Sequence, residues 1–584
     1  MNFFSLLTLV GGLALFLYGM DVMGDNLKKL AGGKLESMLS KLTSNRFKGF
    51  LLGFFVTAVI QSSSATTVML VGFVNSGIMR LGQTIGIIMG ANVGTTVTAW
   101  LLSLGGISGD TFWVKIFKPE SFTPVLMAVG LLMNMIAKSD KKKDVGLIHM
   151  CFAMLLFGMD MMSGAMSGLK DNPAFGKMLI MFSNPVLGIV AGTLLTAIIQ
   201  SSSASVGILQ ALALTAAIPY STAIPIILGQ NIGTTITPIL SALTGNTESK
   251  RVAFACLYIK LIGVVAVYSI FVALDYVFGF AFMGTNVTSI TIAIVHTMFN
   301  IFSTVILIPF CPLIEKLTIK TVKGKKATKT TEFDTLDERF LQVPSFAVEK
   351  CRDLVCDMAQ IARKSIYDAT KLLVKYDSGI VKDVEKSESL VDIYEDKIST
   401  YLVKIASTNN ISSDDSKIVT ELLHCIGDIE RISDHAVNIT EALTEIKEKD
   451  LAFSEAAKHD LKVISSAVNE VLTLATDALF TSNLEIAKSV EPLEQVIDRL
   501  KLKIKANHII RLQSGDCSME MGFILSDLLT NFERVADHCS NIAVCLIEID
   551  HGSFETHEYL NHLKSSGEDS YVTQYNAYKK KYAL

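Results

Sequence analysis

The sequence predicts an all-α protein in two parts: a polytopic membrane domain with inverted repeats and re-entrant hairpins, then a soluble helical domain of two three-helix bundles. Mean hydropathy is +0.44 over 584 residues, although 18% of them are charged. Up to Lys329 the chain carries 24 basic and 12 acidic residues, a net of +12, and the remaining 28 basic and 44 acidic residues give −16. Stretches without Asp, Glu, Lys or Arg, such as Phe50–Met79 and Met178–Thr247, indicate membrane spans in the first part.

This composition excludes several classes of protein. A wholly soluble enzyme would not carry such apolar stretches, and the acidic second part disfavours nucleic acid as a partner. The nine cysteines have no CxxC spacing, which argues against a disulfide scaffold. The first residues lack the basic segment of a secretory signal, so we expect Phe3–Tyr18 to be a retained first span.

The membrane part contains an internal repeat with a constant offset of 139 residues. The second block has the sequence Ile-Gln-Ser-Ser-Ser-Ala in both copies, and the third has the pattern Asn-x-Gly-Thr-Thr-x-Thr. Polar blocks within apolar sequence are costly unless they line a site, so the duplication predicts a functional centre. The blocks and their copies are Gly19–Asp21 and Gly158–Asp160, Ile60–Ala65 and Ile199–Ala204, and Asn92–Thr98 and Asn231–Thr237.

Basic residues predict the topology. They cluster at Lys28–Lys48, at Lys138–Lys143 and at Lys250 and Arg251, and all three segments are assigned to the cytoplasm. Each Gln-Ser-Ser-Ser block must then be the tip of a hairpin that enters and leaves on one side, which leaves three crossings in the first repeat and inverts the second. We expect about seven crossings of the inner (cell) membrane, with the N-terminus outside and the C-terminal domain cytoplasmic.

The hairpin tips are suited to an anion because a break between half-helices exposes backbone N–H groups, hydroxyls and a positive dipole end. Neither tip contains Lys or Arg, so a bound dianion needs co-bound cations, and Na⁺ accepts hydroxyl, amide and carbonyl oxygens. The alternative interpretation is that the small polar residues only permit close helix packing.

The two Gln-Ser-Ser-Ser blocks, each followed by Asn-x-Gly-Thr-Thr-x-Thr, resemble the type II sodium–phosphate cotransporter family over roughly residues 1–315. The resemblance implies that inorganic phosphate binds at Gln61, Ser62, Ser63, Ser64, Gln200, Ser201, Ser202 and Ser203. It implies sodium binding at Thr66, Asn92, Thr95, Asn231 and Thr234.

The sequence departs from that family at one position. Members usually carry His-x-x-x-Asn twice in late spans, but here His296–Asn300 keeps one copy and Cys256–Lys260 stands at the other. An intramembrane lysine is a functional candidate, and the alternative is that Lys260 snorkels toward an aqueous cavity.

The acidic part shows apolar residues at three- and four-residue steps, which predicts six helices at roughly 343–376, 380–406, 414–446, 453–482, 486–512 and 518–549. It contains a second duplication. Glu388 and Asp392 recur as Glu494 and Asp498, and the motif at Glu430–Ile439 recurs at Glu533–Ile542. Carboxylates four residues apart share a helix face and can chelate a cation, although a solvated face is the common alternative.

These acidic motifs resemble the PhoU family over about residues 340–550. The resemblance implies a divalent or trivalent metal at Glu388, Asp392, Glu430, Asp434, Glu494, Asp498, Glu533 and Asp537, with structural roles for His435 and His538. Lys316–Thr331 is expected to be a tether that contacts anionic lipid. The expected domains are membrane repeats at 1–144 and 145–315, a cytoplasmic linker at 316–335, a PhoU-like domain at 336–550, and a tail at 551–584 without an assigned role.

Together these features predict sodium-coupled transport of inorganic phosphate across the lipid bilayer, regulated by a cytoplasmic PhoU-like domain, with Na⁺ as the coupling ion. No catalytic set was found, so we do not expect an enzyme. A homodimer and a cytoplasmic signalling partner stay open. The alternatives are a carrier of another oxyanion, such as sulfate or arsenate, and a membrane phosphate sensor without net transport.

Overall fold

The computed structural model describes residues 3–31, 45–107, 118–167, 181–215, 217–324, 332–408, 411–551 and 569–584. Within these ranges the regular elements are all helices, which confirms the all-α fold class. The chain divides into two compact units, Met1–Phe346 and Ala347–Leu584. Residues 336–346, which the sequence analysis grouped with the second domain, belong to the first unit.

The first unit contains fourteen α-helices in its described residues. They are α1 Phe3–Ala31, α2 Arg46–Ile60, α3 Ser63–Asn75, α4 Leu81–Gly94, α5 Thr96–Ser103, α6 Pro119–Ile136, α7 Asp140–Met166, α8 Pro185–Ile199, α9 Ser202–Thr215, α10 Tyr220–Gly233, α11 Ile236–Ala242, α12 Thr247–Phe278, α13 Ser289–Leu307 and α14 Cys311–Thr321.

Seven segments of the first unit's described residues are long and apolar enough to cross a membrane, in agreement with the expected number of crossings. An eighth such helix, Glu455–Thr481, belongs to the second unit, where its apolar face is buried among other helices. The protein is therefore a multi-span membrane protein. The seven segments are Phe3–Ala31, Leu81–Gly106, Pro119–Ile136, Asp140–Met166, Tyr220–Ala242, Thr247–Phe278 and Ser289–Thr321.

Both Gln-Ser-Ser-Ser blocks form breaks between two shorter helices. Gln61 ends α2 and Gln200 ends α8, and each has a left-handed backbone with φ of 59°. Non-glycine residues adopt this conformation rarely, so its occurrence at both repeats marks the tips as specialised backbone positions. The sequence predicted these breaks from polar residues placed inside apolar stretches.

The two repeats pack internally in the same way. A side chain at Gly53 would lie 2.1 Å from the carbonyl oxygen of Ile87, and a side chain at Gly192 would lie 2.1 Å from the carbonyl oxygen of Ile226. Both pairs differ by the 139-residue offset. Glycine at these positions lets the first half-helix of each hairpin lie directly against the backbone of the helix that carries the Asn-x-Gly-Thr-Thr block.

Helices α1 and α7, which begin the two repeats, run antiparallel. A Cβ atom at Gly12 would meet the carbonyl oxygen of Gly158 at 2.9 Å, and one at Gly19 would meet that of Cys151 at 2.7 Å. Residues 12 and 19 are the repeat counterparts of 151 and 158, so the two contacts exchange under the offset. The two helices therefore contact each other symmetrically, with repeat-equivalent residues in equivalent contacts.

The segment after the last membrane helix returns to the first unit. Phe340 and Phe346 pack on Phe73 of α3, with ring centroids 5.3 and 5.0 Å from it. Asn75, at the end of α3, donates a hydrogen bond of 2.8 Å to the carboxylate of Asp337. Residues 332–346 therefore cover the C-terminal end of the helix whose N-terminus is the first tip.

The second unit has the six long helices that the sequence predicted, with ends that differ by a few residues. In this unit α16 packs on α17, α17 on α20, and α18 and α19 on α20. A further helix, α21, lies in the tail for which the sequence analysis gave no role, and it packs on α19. The helices are α15 Pro344–Lys371, α16 Ser378–Ala406, α17 Ser413–Glu448, α18 Glu455–Thr481, α19 Val490–Gln513, α20 Met519–His551 and α21 Asp569–Lys581.

Candidate functional site

A small polar cavity lies where the first tip meets the second repeat. Its volume is about 10 Å³, enough for roughly one water molecule. This volume is smaller than a phosphate ion. The polar lining comes from both repeats: Ser63, Ser64, Thr67 and Asn92 from the first, and Thr234, Thr235, Cys256 and Lys260 from the second.

At the first tip, hydrogen bonds hold the backbone while two serines face the cavity. The amide oxygen of Gln61 accepts a 2.7 Å hydrogen bond from Thr98, and its amide nitrogen donates to the carbonyl oxygen of Ala58. The hydroxyl of Ser62 caps α3 by accepting from the backbone N–H of Ala65. Gln61 and Ser62 therefore shape the tip, and Ser63 and Ser64 are the tip residues that line the cavity.

The second tip touches the first but contributes no side chain to the lining of this cavity. Ser64 donates a long hydrogen bond of 3.5 Å to the carbonyl oxygen of Gln200. Ser201 accepts from the backbone N–H of Ala204, while Ser202 and Ser203 are buried at the start of α9. Two of the eight residues predicted to bind phosphate thus line the cavity, and Gln200 meets Ser64 beside it.

The residues predicted to bind sodium surround the breaks in the Asn-x-Gly-Thr-Thr segments. Asn92 and Thr234 line the cavity, and Thr234 also donates to the carbonyl oxygen of Asn231. Thr95 and Thr66 are buried and donate to backbone carbonyls one turn earlier in their helices. Thr235 and Cys256 also line the cavity, although neither was predicted to bind a ligand; Thr235 belongs to the repeated block, and Cys256 to the segment that departs from the family pattern.

The second repeat differs from the first in its hydrogen bonds. Thr57 and Thr66 lie 3.1 Å apart through their hydroxyls in the first repeat, but their counterparts Thr196 and Ser205 are buried without a hydrogen-bond partner among the described residues. Thr237, the counterpart of Thr98, also has a buried hydroxyl without a hydrogen-bond partner among the described residues. Buried hydroxyl oxygens without a hydrogen-bond partner are rare in proteins. Hydroxyl oxygens are also ligands that can coordinate Na⁺.

In the second unit the acidic motifs form two separate clusters. In each, three carboxylates have oxygen atoms within 4.8 Å of one another: Glu388, Asp392 and Asp434 in one, and Glu494, Asp498 and Asp537 in the other. Glu430, the fourth predicted ligand of the first set, lies beside Asp434. Its counterpart Glu533 forms an ion pair with Lys501 at 2.5 Å.

The electrostatics of the clusters favour a bound cation. Burial, followed by the negative charges of Glu491 and Asp498, raises the pKa of Glu494 to about 8. Burial and Asp392 raise the pKa of Glu388 as well. Carboxylates that disfavour one another's charge are stabilised by a hard cation, and their oxygens are the ligands that such an ion takes.

The histidines of the duplicated motif join α17 and α20. The rings of His435 and His538 stack with centroids 5.6 Å apart. His435 hydrogen-bonds Asn531 and His538 hydrogen-bonds Asp428, both at 2.8 Å. Neither histidine belongs to the two carboxylate clusters, and their cross-helix contacts fit the structural role expected of them.

Known family models match both parts of the chain. The model of the Na⁺/Pi-cotransporter family matches residues 15–164 and 172–290, and the PhoU domain matches residues 355–443 and 461–546. The first part of the chain thus matches the Na⁺/Pi-cotransporter family, and its C-terminal part matches the PhoU domain. The resemblance inferred from the two sets of motifs is confirmed, and the family supports phosphate transport and its regulation as the general function.

The chain is also similar to individual proteins over different shares of its length. The chain is 23% identical to a Salmonella typhimurium protein named "Putative inorganic phosphate export protein YjbB", over 95% of this chain and 100% of that protein. It is 38% identical to the rat sodium-dependent phosphate transport protein 2A over 16% of this chain and 15% of that protein. The crystal structure of PhoU from Pseudomonas aeruginosa aligns with 35% of this chain and 97% of its own, at 22% identity and a TM-score of 0.34.

Proposed function

We propose that the protein couples the movement of inorganic phosphate across the cell membrane to Na⁺, and that its PhoU-like domain regulates this transport. One observation carries the proposal. The polar cavity is lined by both repeats at the point where their tips meet, so a change in the relation of the repeats opens or closes the site. Such a site between inverted repeats is the arrangement used by secondary transporters.

Phosphate binding is supported by the first tip. Ser63 and Ser64 begin α3, so their hydroxyls and their own backbone N–H groups lie at the positive end of the helix dipole. In the proposed cycle Gln61, Ser62 and the second tip at Gln200–Ser203 shape the site as the hairpins separate. The bound species is the hydrogen phosphate dianion.

Sodium coupling is supported by the oxygens around the breaks. Thr196, Ser205 and Thr237 have buried hydroxyls without partners among the described residues, and Asn92 and Thr234 add oxygens at the cavity. Thr66, Thr95 and Asn231 complete the set that we propose for sodium. Na⁺ beside the dianion lowers the cost of placing its charge in a low-dielectric environment.

Regulation is assigned to the second unit, which we place in the cytoplasm, with the N-terminus outside. The two carboxylate clusters are proposed to hold divalent or trivalent metal, and Glu430 and Glu533 are proposed as neighbouring ligands. The exposed faces of this unit are proposed to bind a cytoplasmic signalling partner. We also propose that two copies of the protein form a homodimer. The basic clusters at Lys138–Lys143 and at Lys250 and Arg251 support this orientation.

The test is phosphate flux in vesicles that contain the purified full chain in known orientation. With an imposed Na⁺ gradient, labelled phosphate should move with Na⁺, toward the side of lower Na⁺ concentration. Dissipating the gradient with an ionophore should stop this net movement. Both gradient directions are needed, because the Salmonella relative is named for export. Phosphate that binds but never accumulates would favour a sensor. Stronger competition by sulfate or arsenate than by phosphate would assign a different oxyanion.

A further inference from the structure

Lys260 is a buried cation that faces the candidate site. Its side chain belongs to α12, the residue is 8% exposed, and it lines the same cavity as Ser63 and Ser64. Its ammonium group donates a hydrogen bond of 3.3 Å to the amide oxygen of Asn231. Lys260 thus approaches the first tip from the opposite repeat.

The ammonium group of Lys260 has no carboxylate partner among the described residues. Two other shielded cations of this unit are paired: the buried Arg251, on the same helix, with Glu248, and the partly buried Arg339 with Asp337 at 2.9 Å. A neutral amide at 3.3 Å offsets little of the desolvation of an ammonium group. A charged side chain that is buried without a counter-ion is costly. Such a side chain is retained in a membrane protein where a ligand supplies the opposite charge.

Snorkelling does not explain this position. Lys260 lies thirteen residues after the first residue of α12, which corresponds to about 20 Å along the helix axis. Its head group hydrogen-bonds Asn231, a residue at the break of the second repeat. The charge is therefore held inside the unit, beside the candidate site.

We infer that Lys260 is a fixed counter-charge for the bound oxyanion and that it takes the place of one co-bound cation. The inference rests on the proposed function, because it names a substrate-binding group of that same site. When the tips separate, the ammonium group leaves Asn231 and contacts a phosphate oxygen, while Ser63 and Ser64 contact the others. Phosphate binding then needs fewer Na⁺ ions than two hydroxyl-lined tips alone would require.

The test measures phosphate affinity with the purified full chain in detergent, using labelled phosphate at saturating Na⁺. Lys260→Met should weaken phosphate binding by roughly tenfold to a hundredfold, the range expected when a charge-assisted hydrogen bond to an anion is lost. Lys260→Arg keeps the charge and should retain more affinity than Lys260→Met. The matched control is Lys250→Met, the same change at an exposed lysine at the start of α12, which should bind phosphate like the wild type.

Thermal stability separates binding from a structural role. Without phosphate, Lys260→Met should melt no lower than the wild type, because a buried unpaired charge is replaced by an apolar chain of similar length. Phosphate should raise the melting temperature of the wild type more than that of the variant. Lys260→Gln provides a second variant, since it keeps a hydrogen-bonding group near Asn231 and removes only the charge.

The outcomes distinguish this inference from the proposed function. A wild-type protein that binds no phosphate would refute the proposed function itself. If the wild type binds phosphate and Ser63→Ala weakens it, but Lys260→Met and Lys260→Gln bind like the wild type, the inference about Lys260 is overturned. A lower melting temperature in both variants with unchanged phosphate affinity would also overturn it and would assign Lys260 to the packing of α12.

Discussion

The hydroxyl of Ser64 lies 3.5 Å from the main-chain carbonyl oxygen of Gln200, so two residues 136 positions apart, one at each hairpin tip, meet in the folded protein. Ser64 is the second residue of α3, whereas Gln200 ends α8 in a left-handed conformation. The contact places a helix N-terminus of the first repeat against the break of the second. Predictions about transport begin from this junction.

Replacing Ser63 with Ala should lower phosphate affinity about tenfold to a hundredfold, because a hydrogen bond to a charged ligand contributes roughly 1.5–3 kcal/mol. Equilibrium binding of labelled phosphate to the full chain measures the change. Ser76→Ala is the control, since Ser76 is buried at the far end of the same helix and faces no part of the cavity. Equal affinities for the two variants would remove Ser63 from the site.

Replacing Na⁺ with choline should abolish high-affinity phosphate binding, because choline is too large to lie among the hydroxyl and amide oxygens near the breaks. Isothermal titration with phosphate in each salt, at constant ionic strength, measures this dependence. Thr196→Val should raise the Na⁺ concentration needed for half-maximal phosphate binding, since it removes a buried oxygen that has no protein partner among the described residues. Binding that is unchanged in choline would mean that the dianion is neutralised without sodium, and Lys260 would be the first residue to test.

Replacing Asp434 with Asn should remove about half of the bound metal, because the carboxylates form two separate clusters and the second contains Glu494, Asp498 and Asp537. Elemental analysis of the purified full chain gives the metal content per chain. Asp537→Asn should have an equal effect, and the double variant should retain almost none. Near-complete loss in either single variant would indicate one shared site. If elemental analysis finds no metal in the wild-type protein, the acidic clusters do not bind metal and are solvated helix faces.

Without metal, the second unit should lose stability as the pH rises from about 4.5 to about 8. Burial and neighbouring carboxylates raise the pKa of Glu494 from 4.5 to about 8, so the folded state binds more protons than the unfolded state in this window. The free energy of unfolding therefore falls as the pH rises through this window. Below the pKa of the unfolded state, Glu494 contributes little further change with pH. Chemical denaturation of the metal-free fragment 347–584 measures the slope, and Glu494→Gln should flatten it. A slope of the opposite sign would contradict the prediction.

Replacing Phe340 with Ala should destabilise the first unit by about 3–5 kcal/mol, the usual cost of truncating a buried phenylalanine. Phe340 is fully buried, and its ring lies 4.8 Å from that of Phe346 and 5.3 Å from that of Phe73. Hydrogen exchange of α3 reports the effect, because the aromatic cluster covers this helix. Phe310→Ala, at a half-exposed phenylalanine, should leave the exchange of α3 unchanged. Equal exchange in both variants would mean that residues 332–346 do not stabilise α3.

Much of the architecture could be predicted from local sequence patterns. The 139-residue offset predicted two equivalent breaks, and Gln61 and Gln200 have the same left-handed conformation. The periodicity of the acidic part predicted six helices, because an amphipathic helix needs one apolar face whatever its neighbours are. Polar residues inside apolar segments identified the site for a similar reason, since hydrocarbon tolerates them only where they are paired or functional.

The sequence by itself determined the two-part all-α class, the duplications and the residue types of the site. Only the tertiary structure decided which equivalent residues have equivalent surroundings: Ser63 lines the cavity but Ser202 does not, and Glu533 pairs with Lys501 whereas Glu430 lies beside Asp434. The repeat pattern predicts the same role for both residues of each equivalent pair, because it depends only on their spacing along the chain. Hydrogen bonds and ion pairs depend instead on distances of about 3 Å between segments far apart in sequence, and packing alone fixes those distances.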